Sequence, residues 1–177
     1  MKYEEISKLE AAKRQLVAAA IHMFFERKDP IAIHTLAAAS QGILIDLAKP
    51  KGIASLLIDF EMVRPEKRDE VNRKIREAQN FFKHADRDAE ALFKFYPETT
   101  SLFLFDACQL YENLVKYKIP ETKVFCGWFY IKYPDMLIEG QFKDQFVELI
   151  NGIDPNDFEL ARHAIDYFNR NEDSLIR

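Results

Sequence analysis

The chain has 177 residues, 48% hydrophobic and 31% charged, with a formal net charge of −4. That balance excludes a disordered polymer and suits one compact domain, or a domain with a helical appendage. Five glycines and seven prolines stand against fifteen phenylalanines, too few turn residues for a many-stranded sandwich or barrel, and neither phosphate-cradling glycine motif occurs.

The clean apolar runs are short, and the stretch from Gly42 to Leu47 contains Asp46. A bilayer span needs about 20 predominantly apolar residues, so no membrane segment is expected. Met1-Lys2-Tyr3-Glu4-Glu5 is acidic and polar, unlike the start of a signal peptide. Cys108 and Cys126 lie in apolar surroundings without a CxxC spacing. They read as buried free thiols of a cytoplasmic protein.

In chain order, residues 3–27 form one long amphipathic helix. Its apolar face is Ile6, Leu9, Ala12, Leu16, Ala19/Ala20, Met23 and Phe24. Asp29-Pro30 stops it and starts the next helix, with Asp29 as N-cap and Pro30 at the first helical position. That second helix runs to Ala48 and is rich in small apolar residues, as a central bundle member would be. Lys49-Pro50-Lys51-Gly52 is a turn, and a short helical segment over 53–60 follows. A third long helix runs from Arg64-Pro65-Glu66 to Ala85. Residues 91–96 form a brief extended stretch or a helical turn, ended by Pro97. Thr99 or Thr100 caps a helix to Tyr117. Beyond it, residues 122–133, 141–150 and 156–169 are each helical. The expected fold is all-α: an antiparallel bundle of about four long helices over residues 1–118, with a helical C-terminal extension, 119–177, packed on it.

Charge is uneven along this chain. Residues 64–84 carry seven Lys/Arg and four Asp/Glu, while residues 139–177 carry four and nine. The basic stretch is either a solvated face or a local phosphate-binding surface. Helical spacing puts Val71, Ile75, Ala78, Phe82 and Ala85 on its buried side. Arg73, Arg76, Glu77, Asn80 and His84 then share the opposite side. Asn80 and His84, one turn apart, either address one ligand or cap the following turn. A histidine titrates near neutral pH and serves as general acid or base, while arginines grip phosphate through two bonds at once. Such a set suffices for metal-free cleavage of RNA, whose 2′-hydroxyl supplies the nucleophile.

A long helix pair, an alanine-rich second helix and a third helix ending in Asn80-x-x-x-His84 resemble the HEPN superfamily over roughly residues 9–117. The stretches Ile33-His34-Thr35-Leu36-Ala37-Ala38-Ala39 and 80–88 also resemble an uncharacterised bacterial family. The resemblance implies a helical bundle, often dimeric, that binds nucleotides, RNA or partner proteins, in many members as a metal-independent endoribonuclease. The HEPN signature, R-x4–6-H with Asn commonly after the Arg, meets Glu77, Ala78 and Gln79 at the arginine positions here, with Arg76 one residue further away. Carried over, His84 handles protons, Asn80 orients the phosphate or 2′-hydroxyl, and Arg76 stabilises developing charge. Arg73, Lys83 and Arg87 supply phosphate contacts.

No histidine follows a glutamate by three residues, so no di-metal bundle site is expected, and no cofactor. His22 and His34 read as hydrogen-bonding members of the bundle. The aromatic run Phe125, Trp128, Phe129, Tyr130, Tyr133 either packs in the core or, through Trp128, Phe129 and Tyr130, forms a dimer or partner interface. The sequence therefore points to a HEPN-like module acting on RNA, a nucleotide or a partner protein. The alternative is a non-enzymatic helical adaptor or inhibitor.

Overall fold

The computed structural model describes residues 2–59, 65–84, 86, 89–137 and 139–171, with backbone alone at 19, 20, 65, 68, 71 and 142. Every regular element among them is helical, so the fold is all-α. The chain forms two compact units, Met1–Lys116 and Tyr117–Arg177.

The first helix, α1 (residues 8–25), is three consecutive pieces: Lys8–Lys13, a π-helical run Arg14–Ile21, and His22–Phe25. Ser7 caps its start by accepting a bond from the Glu10 N–H at 3.1 Å. The π run corrects the expected apolar face. Wider turns advance each residue by less than the α-helical angle. The buried residues are therefore Ala12, Leu16, Val17, Ile21 and Phe25, while Met23 and Phe24 sit half-exposed and Ile6 is exposed.

Helix α2 (Pro30–Ala48) begins as expected, with the Asp29 carboxylate accepting from the Ala32 N–H at 2.9 Å and Pro30 in the first turn. Continued through the 3-10 turn after it, Pro30–Lys51 has the length and mean hydropathy, 1.5, of a membrane span. This corrects the reading that no segment reaches that mark. The cause is position: α2 packs against α1 on one side and against α5 (Thr100–Val115) on the other. A helix covered on two sides needs apolar residues around most of its circumference. Asp46 is exposed and Thr35 half-exposed, while the buried Ser40 and Gln41 bond inwards. Ser40 Oγ donates to the Ala12 carbonyl at 2.9 Å, and Gln41 Nε2 donates to Asp106 at 2.6 Å.

The third long helix is not one element. After a 3-10 turn at Pro65–Lys67, α3 (Arg68–Ile75) ends at a one-residue turn at Arg76, with ψ of 0°, and α4 (Glu77–Phe81) follows. Ala78 is buried, and Gln79 Nε2 donates to the Ala38 carbonyl at 3.4 Å. Helix α4 is thus docked on α2. Residues 53–59 are a hydrogen-bonded turn rather than a helix. Phe60, Arg64, Ala85, Arg87 and Asp88, and the side chain of Val71, lie outside the described residues.

Cross-links give the topology. His34 meets Thr100 and Gln41 meets Asp106, so α2 and α5 run parallel. Gln79 meets Ala38 and Phe82 meets His34, so α4 runs against α2. Helices α4 and α5 thus run in opposite directions, yet α4 is too short to separate α2 from α5. The core of this unit is accordingly three long helices with α2 central.

In the second unit, α6 (Pro120–Lys132), α7 (Gln141–Leu149) and α8 (Phe158–Asn171) lie close to the expected spans. Trp128 packs on Phe158, and Lys123 Nζ lies over the Phe168 ring. Helices α6 and α8 are therefore antiparallel. Ala161 and Ile165 fill the seam between them.

Candidate functional site

The basic stretch carries a groove of about 820 Å³, lined by Arg73, Lys74, Glu77, Asn80, Phe81 and His84 on one side. Asp86 and the segment Ala91, Leu92, Phe93 complete it. The volume falls within the range of small-ligand sites. Helical spacing explains the first wall, since residues 73/74, 77, 80/81 and 84 follow one another by three or four positions. Past Phe82 the chain leaves the helix, but the His84 N–H still bonds to the Asn80 carbonyl at 3.2 Å. That bond keeps the imidazole beside α4.

Of the sequence-derived candidates, Asn80, His84 and Arg73 come together in this groove, and all three side chains are exposed. Arg76 and Lys83 are exposed as well but are not among the described lining residues. The break at Arg76 separates it from the stripe it was assigned to, and Arg73 takes its place as the guanidinium of the groove. Arg87 lies outside the described residues.

The sequence reading missed Lys74, Asp86 and the aromatic pair. The Phe81 and Phe93 rings stack on each other 5.1 Å apart at 26°, an apolar pair beside two cations. The signal for it was the alternation in Leu92-Phe93-Lys94-Phe95-Tyr96. Phe93 and Phe95 are half-buried, while Leu92, Lys94 and Tyr96 are exposed. That is the period of an extended chain lying along a surface. Chemically, Arg73 and Lys74 can hold a phosphate, the aromatic plate can stack a base, and His84 can exchange a proton. Glu77 and Asp86 offset part of the positive charge and offer acceptors for sugar hydroxyls.

Two titratable groups are buried in the same unit. His34 is fully buried, with Nδ1 3.0 Å from Thr100 Oγ1 and Nε2 without a hydrogen-bond partner. Burial pulls its pKa down to about 4, because a low-dielectric setting disfavours the imidazolium. Asp106 is buried beneath the 53–59 turn and accepts from Gln41, the Ser55 hydroxyl at 2.7 Å and the Leu56 N–H at 2.7 Å. Burial raises its pKa above the usual carboxylate value, although these bonds act against the rise. Among the described residues, no three His, Cys, Asp or Glu side chains gather as metal ligands.

The residues assigned to an interface need correction. Trp128 and Phe129 are buried, and only Tyr130 keeps a partly open face. The indole N–H donates to the Pro155 carbonyl at 2.8 Å, and the Phe129 ring packs 4.9 Å from Tyr133. Their three- and four-residue spacing is that of a helix packing inwards, which consumes the surface a partner would use. No family model, curated protein or solved structure matches this chain in comparison.

Proposed function

We propose that the chain is a HEPN-like module of a bacterial cytoplasm that binds RNA or a nucleotide in the groove of Arg73 and His84. The observation supporting this reading is the convergence of Arg73, Lys74, Asn80 and His84 beside the stacked Phe81 and Phe93. Cations for phosphate and an aromatic plate for a base are what a single strand requires of a protein. Bound RNA also supplies its own nucleophile. His84 would take the 2′-hydroxyl proton as the oxygen attacks phosphorus. The departing 5′-oxygen would gain a proton, leaving a cyclic phosphate, while Arg73 balances charge on the phosphoryl oxygens.

The test is binding of short single-stranded RNA to the purified full chain, followed by incubation in chelator across pH 5–8. Binding that weakens with salt, and cutting that His84→Ala abolishes with the fold intact, is the expected result. Absence of binding at low salt overturns the reading. Binding without cutting leaves a recognition module, on its own, as a homodimer or with a partner protein, and removes the enzyme.

A further inference from the structure

One wall of the groove is attached differently from the other. Residues 73–81 belong to α3, α4 and the turn between them, with His84 tied back to Asn80, whereas residues 91–96 belong to no helix. Among the described residues, no backbone hydrogen bond to a neighbouring element holds 91–95 in place. Side chains do the attaching. Phe93 stacks on Phe81 and meets the edge of Phe82, and Phe95 meets Phe82 at 5.1 Å and His34 at 5.3 Å. Phe82 and Phe103 close the cluster round the same imidazole, at 5.9 and 4.7 Å. Thr100 fixes the orientation of that ring from the start of α5. A continuous train of rings therefore runs from the groove plate to a buried histidine on the central helix. At the other edge, Leu92 lines the groove with its side chain wholly exposed.

We infer that residues 91–96 are a strap that closes over the occupant of the groove, and that His34 is the remote positioning residue that anchors it through Phe95 and Phe82. The inference rests on the groove being a binding site and adds how that site shuts. An extended segment held by two aromatic hooks can lift at its free edge without unfolding the helices. Leu92, idle in the open groove, gains an apolar contact once a base stacks on the outer face of the Phe81–Phe93 pair. His34 itself is too deep to touch that ligand, so its effect passes through the rings.

Trypsin cleavage after Lys94, exposed within the segment, followed by mass spectrometry of the full chain with and without short single-stranded RNA, tests both halves. Phe95→Ala and His34→Gln each should speed that cut by about tenfold while cutting within α1 stays unchanged. RNA should slow the cut in the unaltered protein, and both variants should bind it several-fold more weakly. Phe95→Leu, which keeps an apolar hook, should restore resistance and affinity together. An unchanged rate of cutting at Lys94 in folded Phe95→Ala and His34→Gln overturns the anchor. RNA bound equally tightly by a loosened strap overturns the closure. If the unaltered protein binds no RNA, the proposed function and the closing role fall together, and the cleavage contrast alone still decides whether His34 anchors the segment.

Discussion

Gln41 donates to Asp106 at 2.6 Å across the parallel pair α2 and α5, and both side chains are buried. The same carboxylate receives the Ser55 hydroxyl and the Leu56 N–H, so one side chain ties two helices to the turn that leaves α2. Removing it orphans three donors at once. Asp106→Ala should cost about 3 kcal/mol or more, since each unsatisfied buried donor costs about 1–3 kcal/mol. Asp106→Asn should also destabilise the protein, because its amide NH2 would face the donors the carboxylate now accepts. Urea unfolding followed by circular dichroism checks both, and a change below about 0.5 kcal/mol would show that the bonds are not made.

His34 gives the fold a pH dependence of definite sign. Its folded pKa of about 4 lies below the unfolded value of 6.5. The unfolded chain therefore binds a proton first as the solution is acidified. Stability is complete above about pH 6.5 and declines as pH falls towards 4, by up to about 3 kcal/mol from this group. Asp106 acts in the opposite sense. Its raised pKa means that acidification relieves a buried charge and offsets part of the loss. In His34→Gln the decline between pH 6.5 and 4 should flatten. A variant and a parent with the same pH–stability curve would remove His34 as its source.

Much of this molecule can be read along the chain, for local reasons. Asp29-Pro30 starts α2, and Pro120 with the spacing of Phe125, Trp128 and Phe129 defines α6. These are signals within one or two turns of each other. What escaped is non-local or departs from the regular period. The π run shifts burial from Met23 and Phe24 to Ile21 and Phe25, and no residue type marks it. The turn at Arg76 adjoins the docking of α4 on α2, through Gln79 and Ala38 some forty residues apart in the chain. Phe81 and Phe93 meet across a loop, so the plate in the groove is invisible to helical spacing. Asn80 and His84 fall on one wall of the groove because they are a helical turn apart, whereas Arg76 is not among its described lining residues and Arg73 is.

The groove lining yields a sharp contrast between neighbours. Arg73 lines the groove and Arg76 does not, although both are exposed. Arg73→Ala should weaken RNA binding by about 1–2 kcal/mol, roughly 5- to 30-fold, and reduce its salt dependence by about one charge. Arg76→Ala should change affinity by less than twofold. Fluorescence anisotropy titrations at two or more salt concentrations read both quantities. Equal losses from the two variants would mean that charge alone draws RNA to this stretch, without the groove.

Trp128 is the chain's single tryptophan, so its emission reports on the second unit alone. The indole is buried, bonded to the Pro155 carbonyl and met edge-on by Phe158 at 5.9 Å. Its emission should be blue-shifted in the native state and move red on unfolding. Phe158→Leu removes the edge contact while keeping an apolar side chain, and should lower the stability read by this signal by about 1–2 kcal/mol. Were Trp128 instead an exposed interface residue, emission would begin red and shift with protein concentration. A concentration-independent blue emission, with a transition that Phe158→Leu moves to lower denaturant, is what an indole held between α6 and α8 demands.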